Sequence, residues 1–291
     1  MIADQKDFIT PHITDAHTLD YPCFSQIGKW YERIIPQTCE VELPHWKPIH
    51  IGSFALDISP TRHVVMLWVA ATLCIITTLL ALRAHNRKTR EGKAPSGFGN
   101  GLEALVLYLR NEVIIPNVGP HGNAYVPYLL TLFFFILFAN LLGLVPYGST
   151  ATGNISVTAT LAIVTFFVIE IAGMKAQGKA YFNTIVFWPH DMSLGMKLFI
   201  SPILTPIELV GKLTKPFALA IRLFANMTAG HVVLLALISL IFTFGSWLLV
   251  PVPILMAIGI SFLELFVAFL QAFIFTLLST VFIGLIREGA H

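Results

Sequence analysis

The stretch Glu208–His231 reads ELVGKLTKPFALAIRLFANMTAGH. It lies within long apolar sequence, yet it carries Glu208, Lys212, Lys215, Arg222 and His231. Phe217, Leu219 and Ile221 precede Arg222 closely, Leu223, Phe224 and Met227 follow it, and the chain stays apolar from His231 to about Leu249. A guanidinium is charged at any physiological pH. Placing one at the centre of a bilayer costs about 2.5–3.5 kcal/mol on insertion scales. A membrane helix that keeps such a residue keeps it for a reason.

The composition makes the membrane setting firm. The chain has 291 residues, of which 56% are hydrophobic and only 12% charged, and its mean hydropathy is +0.76. A soluble domain carries about 25% charged residues, so this chain cannot cover itself with charge and reads as an all-α integral membrane protein. No basic tract sits beside a compact soluble fold, so nucleic acid is not an expected partner. Three cysteines are too few for a disulfide framework. A Cys23–Cys39 bridge and two free thiols both remain open readings. No internal repeat is present.

Residues 1–62 read as a polar extracytoplasmic segment punctuated by Pro11, Pro22, Pro36, Pro44, Pro48 and Pro60. Eight acidic residues against five basic ones give it a net charge of −3. One short helix is expected near Phe24–Ile34. His12, His17, His45 and His50 lack paired ligand spacing, so no metal site and no cofactor are expected. No apolar run follows Met1 closely enough to be a signal peptide, and no transit peptide is evident. A bacterial inner membrane is the expected location.

Residues 63–291 read as the membrane domain. The first span is Val64–Leu82, followed by Arg83, Arg87, Lys88, Arg90 and Lys93 against Glu91 alone. Excess Lys and Arg marks the cytoplasmic side, which puts the N-terminus outside. After the link PSGFGNG, Gly101–Asn117 places Leu102, Leu105, Val106, Leu109 and Val113 on one helical stripe. It is too short and polar to span, so it is expected as an amphipathic surface helix ended by Pro116. Spans are then expected at Tyr125–Pro146 and Ile155–Gly173. Asn140 in the former reads as helix–helix glue. Glu170 in the latter reads as structural, with Lys175 and Lys179 marking the inner side. The last two helices, Leu198 to about Thr243 and Ile254–Ile286, exceed the ~20 residues a simple crossing needs. They are expected to be tilted and antiparallel, with the C-terminus cytoplasmic. Five crossings result.

Helical geometry arranges the polar groups. At ~100° and ~1.5 Å per residue, Asn226 shares the face of Arg222. Glu208 lies ~21 Å towards the inside, and His231 ~13 Å towards the outside. On the final helix Glu264 and Gln271 are seven apart, on one stripe. If Gln271 is level with Arg222, Glu264 is near the level of His231. A His–Glu pair in the outer half, an Arg–Gln pair in the middle and a Glu in the inner half suit proton movement. Histidine titrates nearest neutral pH. Arg222 cannot usefully release its proton, so it is a fixed charge and not a relay. Lys212 and Lys215 are expected to snorkel or to meet lipid head groups.

RLFANMTAGH at Arg222–His231, with Pro216 and Glu208 upstream and LELFVAFLQAFIF at Leu263–Phe275, resembles the subunit a family of the F-type rotary ATP synthase. The resemblance covers most of residues 60–291 and leaves the N-terminal 60 largely outside. It implies that Arg222 is the essential arginine facing a carboxylate of the c-ring, and that Asn226 belongs to the same motif. It implies further that His231 and Glu264 form the outer-channel pair, Gln271 faces the arginine, and Glu208 is the inner-channel carboxylate. Some family members hold Glu then His at the two outer positions, so this chain has the exchanged arrangement. Ala218 stands where some members have a small polar residue, which leaves that part of the path unassigned. The implied protein is a non-catalytic, proton-conducting stator subunit, partnered by the c-ring, peripheral stalk b subunits and the bilayer. An ion-coupled secondary transporter is the alternative; internal repeats and more spans would mark it.

Overall fold

The computed structural model describes residues 15–23, 37–46, 49–51, 54–56, 59–90, 97–119, 122–145, 150–181, 194–244 and 250–288. Four short strands come first: β1 (Thr18–Cys23), β2 (Gln37–Glu42), β3 (Ile49–Ile51) and β4 (Phe54–Leu56). Helices follow: α1 (Arg62–Arg90), α2 (Phe98–Tyr108), α3 (Val126–Gly143), α4 (Ile155–Gln177), α5 (Leu194–Phe244) and α6 (Pro251–Glu288). Five of them, all but α2, are long and apolar enough to cross a membrane. The expected all-α membrane architecture with five long helices and one short amphipathic helix is the one observed.

The strands depart from the sequence reading, which placed none before the first span. β1 pairs antiparallel with β2, from Thr18 opposite Glu42 to Cys23 opposite Gln37, and β3 pairs with β4. Thr18, Tyr21, Thr38 and Val41 are residue types that favour an extended chain. Pro22 fits because, among the described residues, β1 pairs on one edge alone. The register sets Cys39 opposite Tyr21, so the cysteines stand diagonally across the ladder. The helix expected near Phe24–Ile34 falls outside the described residues.

The chain packs as two compact units. The first joins Met1–Cys74, Phe135–Asn154 and Ala225–Phe269. In it, the segment before β1 is tied to the start of α1. Asp15 Oδ1 lies 2.9 Å from His63 Nδ1 and accepts from the His63 backbone N–H at 3.3 Å. The Arg62 N–H donates to Ala16 O at 2.9 Å.

The second unit joins Ile75–Phe134, Ile155–Phe224 and Leu270–His291. Its core gathers Ile114, Val118, Val126, Leu129, Ile169, Ala172 and Ile283. Lipid offers no hydrophobic drive between helices, so close packing and hydrogen bonds must hold them. The amphipathic run shows how. α2 continues through a wider π-helical stretch, Leu109–Ile114, and a closing α-turn, Ile115–Val118. Leu109 and Val113, from the expected stripe, are buried. Pro116 does not end the run. The Ile115 N–H reaches back five residues to Arg110 O, and this wide turn accommodates a residue that lacks an N–H. The run stops at Gly119, whose φ of +75° suits glycine.

α6 meets the end of this run at close range. The Arg287 guanidinium donates to Val118 O at 2.8 Å and sits 5.4 Å over the Tyr125 ring. Gln177 Nε2 donates to Ile286 O. A Cβ placed on Gly284 would overlap Asn117 O and stand 3.1 Å from Asn117 C. That neighbour is backbone and cannot swing aside. Gly284→Ala should therefore cost about 1–3 kcal/mol by overpacking and lower the midpoint of thermal unfolding in detergent. Gly211→Ala, where nothing lies within 4 Å, is the control and should not lower it.

Candidate functional site

At 51 residues, α5 is about 76 Å long. α6, at 38 residues, is about 57 Å. Both exceed the ~30 Å hydrocarbon core, so each must tilt, bend or project beyond it. α5 stays helical through Pro202, Pro206 and Pro216, as membrane helices can where neighbouring groups satisfy the freed backbone. The faces of α5 divide cleanly. Leu219, Ala220, Leu223 and Met227 are buried. Ala218, Ile221, Arg222, Ala225, Asn226 and Ala229 are exposed. Arg222 thus lies on the outward face of the protein among small side chains. Among the described residues it has no ion-pair or hydrogen-bond partner. A stripe of small residues admits close approach of another helix, and the guanidinium lies within that stripe.

In the first unit, α6 buries Glu264 and, one turn on, Ala268. Glu264 is 7% exposed, and neither carboxylate oxygen has a hydrogen-bond partner among the described residues. The wall against it is Gly230 of α5. A Cβ there would stand 2.8 Å from Glu264 Cδ and 2.9 Å from Cγ and would overlap Oε1. Glycine leaves the carboxylate its room, which an added Cβ would force it to give up by shifting, and the glycine's neighbour is half-buried His231. The levels of residues 231 and 264 therefore correspond, as helical arithmetic expects. Asn140 holds this part of α6 in place. Its Nδ2 donates to Ala268 O at 3.3 Å, and its Oδ1 accepts from Thr152 Oγ1 at 2.7 Å. Thr228 of α5 reaches Gly153 O at 3.5 Å.

In the second unit, Gln271 continues the buried stripe of α6 with Phe275, Ser279 and Ile283. The expected Arg–Gln pair does not form as a hydrogen bond, because Gln271 is buried while Arg222 faces outward without such a partner among the described residues. Glu208 is exposed and lines a cavity of about 60 Å³ with Glu170, Gln177, Lys212 and Lys215. Lys212 does not snorkel outward. Its Nζ lies 3.8 Å from Glu170 Oε2 and 4.8 Å over the Tyr181 ring. Lys215 Nζ lies 5.2 Å over the Phe282 ring. The sequence held a signal for this cluster. Glu208 and Lys212 are four apart on one helix, and Glu170 and Gln177 are seven apart on another, so each pair shares a face. Gly230, which sets the room at Glu264, gave no such signal.

Residues 64–284 match the model of the family described as ATP synthase A chain. The chain is 46% identical to ATP synthase subunit a 2 of Chlorobaculum tepidum, over 97% of this chain and 74% of that one. It is 47% identical to ATP synthase subunit a 2 of Prosthecochloris aestuarii, over 96% and 78%. It is also 41% identical to ATP synthase subunit a of Anaeromyxobacter dehalogenans, over 96% and 69%.

The Asn140 contacts give a direct test of how the site is held. Asn140→Leu removes both bonds and should cost about 0.6–1.7 kcal/mol, the range measured for hydrogen bonds between membrane helices. The loss is read from unfolding of the purified protein in detergent; unchanged stability would deny these contacts a role.

Proposed function

This chain belongs to the ATP synthase A chain family, a component of the membrane sector of ATP synthase, and on that premise we propose that it is the proton-conducting stator subunit working against a rotating c-ring. The observation that carries the reading is Arg222. It is a permanent charge within an apolar helix, exposed on a stripe of small residues and without an ion-pair or hydrogen-bond partner among the described residues. A charge left open in this way suits an acid that another polypeptide brings to it.

Each ring subunit presents one carboxylate. Protonated, it can face lipid. Beside Arg222 it ionises, because a nearby cation favours the charged form. The proton leaves by one half-channel, and another arrives from the opposite side of the membrane. His231 and Glu264 of the first unit serve the outer half-channel, and Glu208 of the second unit serves the inner one. Asn226 lines the arginine's face, and Gln271 keeps a polar group on the buried stripe of α6. Arg222 repels a travelling proton and so stops a direct leak between the routes. Each charge moved yields about 2.3 kcal/mol per 100 mV.

In this arrangement the chain makes no ATP itself. Residues 1–62 stand outside the cell inner membrane, residues 63–291 form the membrane domain, and the C-terminus is cytoplasmic. The basic residues after the first span, Arg83, Arg87, Lys88 and Arg90, support that orientation. The c-ring, peripheral stalk b subunits and surrounding lipid are the partners.

Arg222→Ala is the decisive variant. In vesicles carrying the complete complex, ATP-driven acidification should vanish while ATP hydrolysis by the soluble head persists. Acidification at the rate of the unaltered complex would remove the role assigned to the guanidinium.

A further inference from the structure

Glu170 lies outside the residues assigned above, yet its surroundings are those of a working group. It shares the 60 Å³ cavity with Glu208, the carboxylate placed in the inner route. Water needs only about 10–15 Å³ of such space and two or more polar partners, so this cavity has room for several molecules. α4 contributes Glu170 and Gln177, α5 contributes Glu208, Lys212 and Lys215, and α6 contributes only Phe282, Leu285 and Ile286. Two carboxylates, two ammoniums and the Gln177 amide therefore share one cavity whose remaining lining is apolar.

The Glu170–Lys212 pair is not a closed structural clasp. At 3.8 Å the ion pair is longer than a direct hydrogen bond, and the carboxylate also borders the cavity. Lys212 is held from its other side by the Tyr181 ring at 4.8 Å. Side-chain exposures of 11% for Lys212 and 15% for Glu170 keep both groups at the cavity wall. A dry ion pair would suffer a desolvation cost that often exceeds its attraction; a hydrated cavity relieves that cost.

From this geometry, and resting on the half-channel reading above, we infer that Glu170 is a second proton-carrying carboxylate of the inner route and that Lys212 is its positioning residue. A cavity water carrying an extra proton gives it to a Glu170 oxygen and becomes neutral, and the carboxyl then passes a proton to the next water and is a carboxylate again. One O–H bond forms and one breaks at each step, so no other reactant is needed.

The test compares Glu170→Gln with Glu170→Asp in the complete complex reconstituted into vesicles, with ATP-driven acidification normalised to assembled complex. Glu170→Gln should slow pumping about tenfold. This is less than the ~10²–10⁴ of a typical acid–base group, because cavity water offers a parallel path. It should also flatten the dependence of pumping on inner-side pH. Glu170→Asp keeps a carboxylate and should pump within about twofold of the unaltered complex. Lys212→Gln leaves the acid but frees it, and should give an intermediate rate with the pH dependence retained. Unaltered pumping by Glu170→Gln, or Asp performing no better than Gln, would overturn the inference. Where Glu170→Gln fails to assemble, the Lys212→Gln pH profile decides: loss of pH dependence in that variant overturns the inference. Arg222→Ala separates this result from the parent reading, since it must still abolish pumping even where Glu170 proves idle.

Discussion

A positive charge that cannot be discharged, set on the surface of an apolar helix, governs this molecule. The guanidinium of Arg222 can escape its cost in three ways: an internal acid, snorkelling to water, or an outside partner. Among the described residues no acid stands against it. Helical rise puts it seven residues, about 10 Å, from Lys215 and ten residues, about 15 Å, from Lys212 on the same helix. The function proposed above takes the third way, and the exposed Ala218, Ala225 and Ala229 leave that face of α5 free of bulk. The length of α5 serves the same end, because it carries Glu208, Lys212 and Lys215 before the arginine and His231 after it without breaking the helix.

The polar groups that accompany Arg222 divide between the two packing units. His231 and Glu264 fall in the first, while Glu208, Gln271 and the Glu170–Lys212 pair fall in the second. They are also held differently. Glu264 is held by absence of bulk, since Gly230 leaves it room and Asn140 pins the helix one turn beyond. Glu170 is held by charge, through a lysine braced against an aromatic ring. The first arrangement depends on backbone spacing, and an added Cβ at Gly230 would displace the carboxylate. The second depends on side chains and tolerates water.

Much of this was legible in the sequence, because hydropathy and charge are written residue by residue. The apolar runs located the five long helices, and the seven-residue spacing of Glu264 and Gln271 put both on one buried stripe. What stayed hidden depends on neighbours distant in the chain. Pro116 looked like a stop, but the π-helical turn before it lets the helix run on to Gly119. Lys212 looked like a snorkelling residue, but Glu170, 42 positions earlier, turns it inward. Gln271 looked paired with Arg222 by height alone, and height does not say which way a side chain faces. The strands before α1 were masked by prolines and by mixed polarity.

The meeting of α6 with the surface-helix run has a mechanical side. Gly284 lies flush against the Asn117 carbonyl, and Arg287 grips Val118 a turn further on. A bare glycine on backbone leaves no soft layer to absorb a sideways shove. On the stator reading proposed above, torque delivered to α6 by a turning ring would pass into the α2 run, which would act as an outrigger against being dragged round.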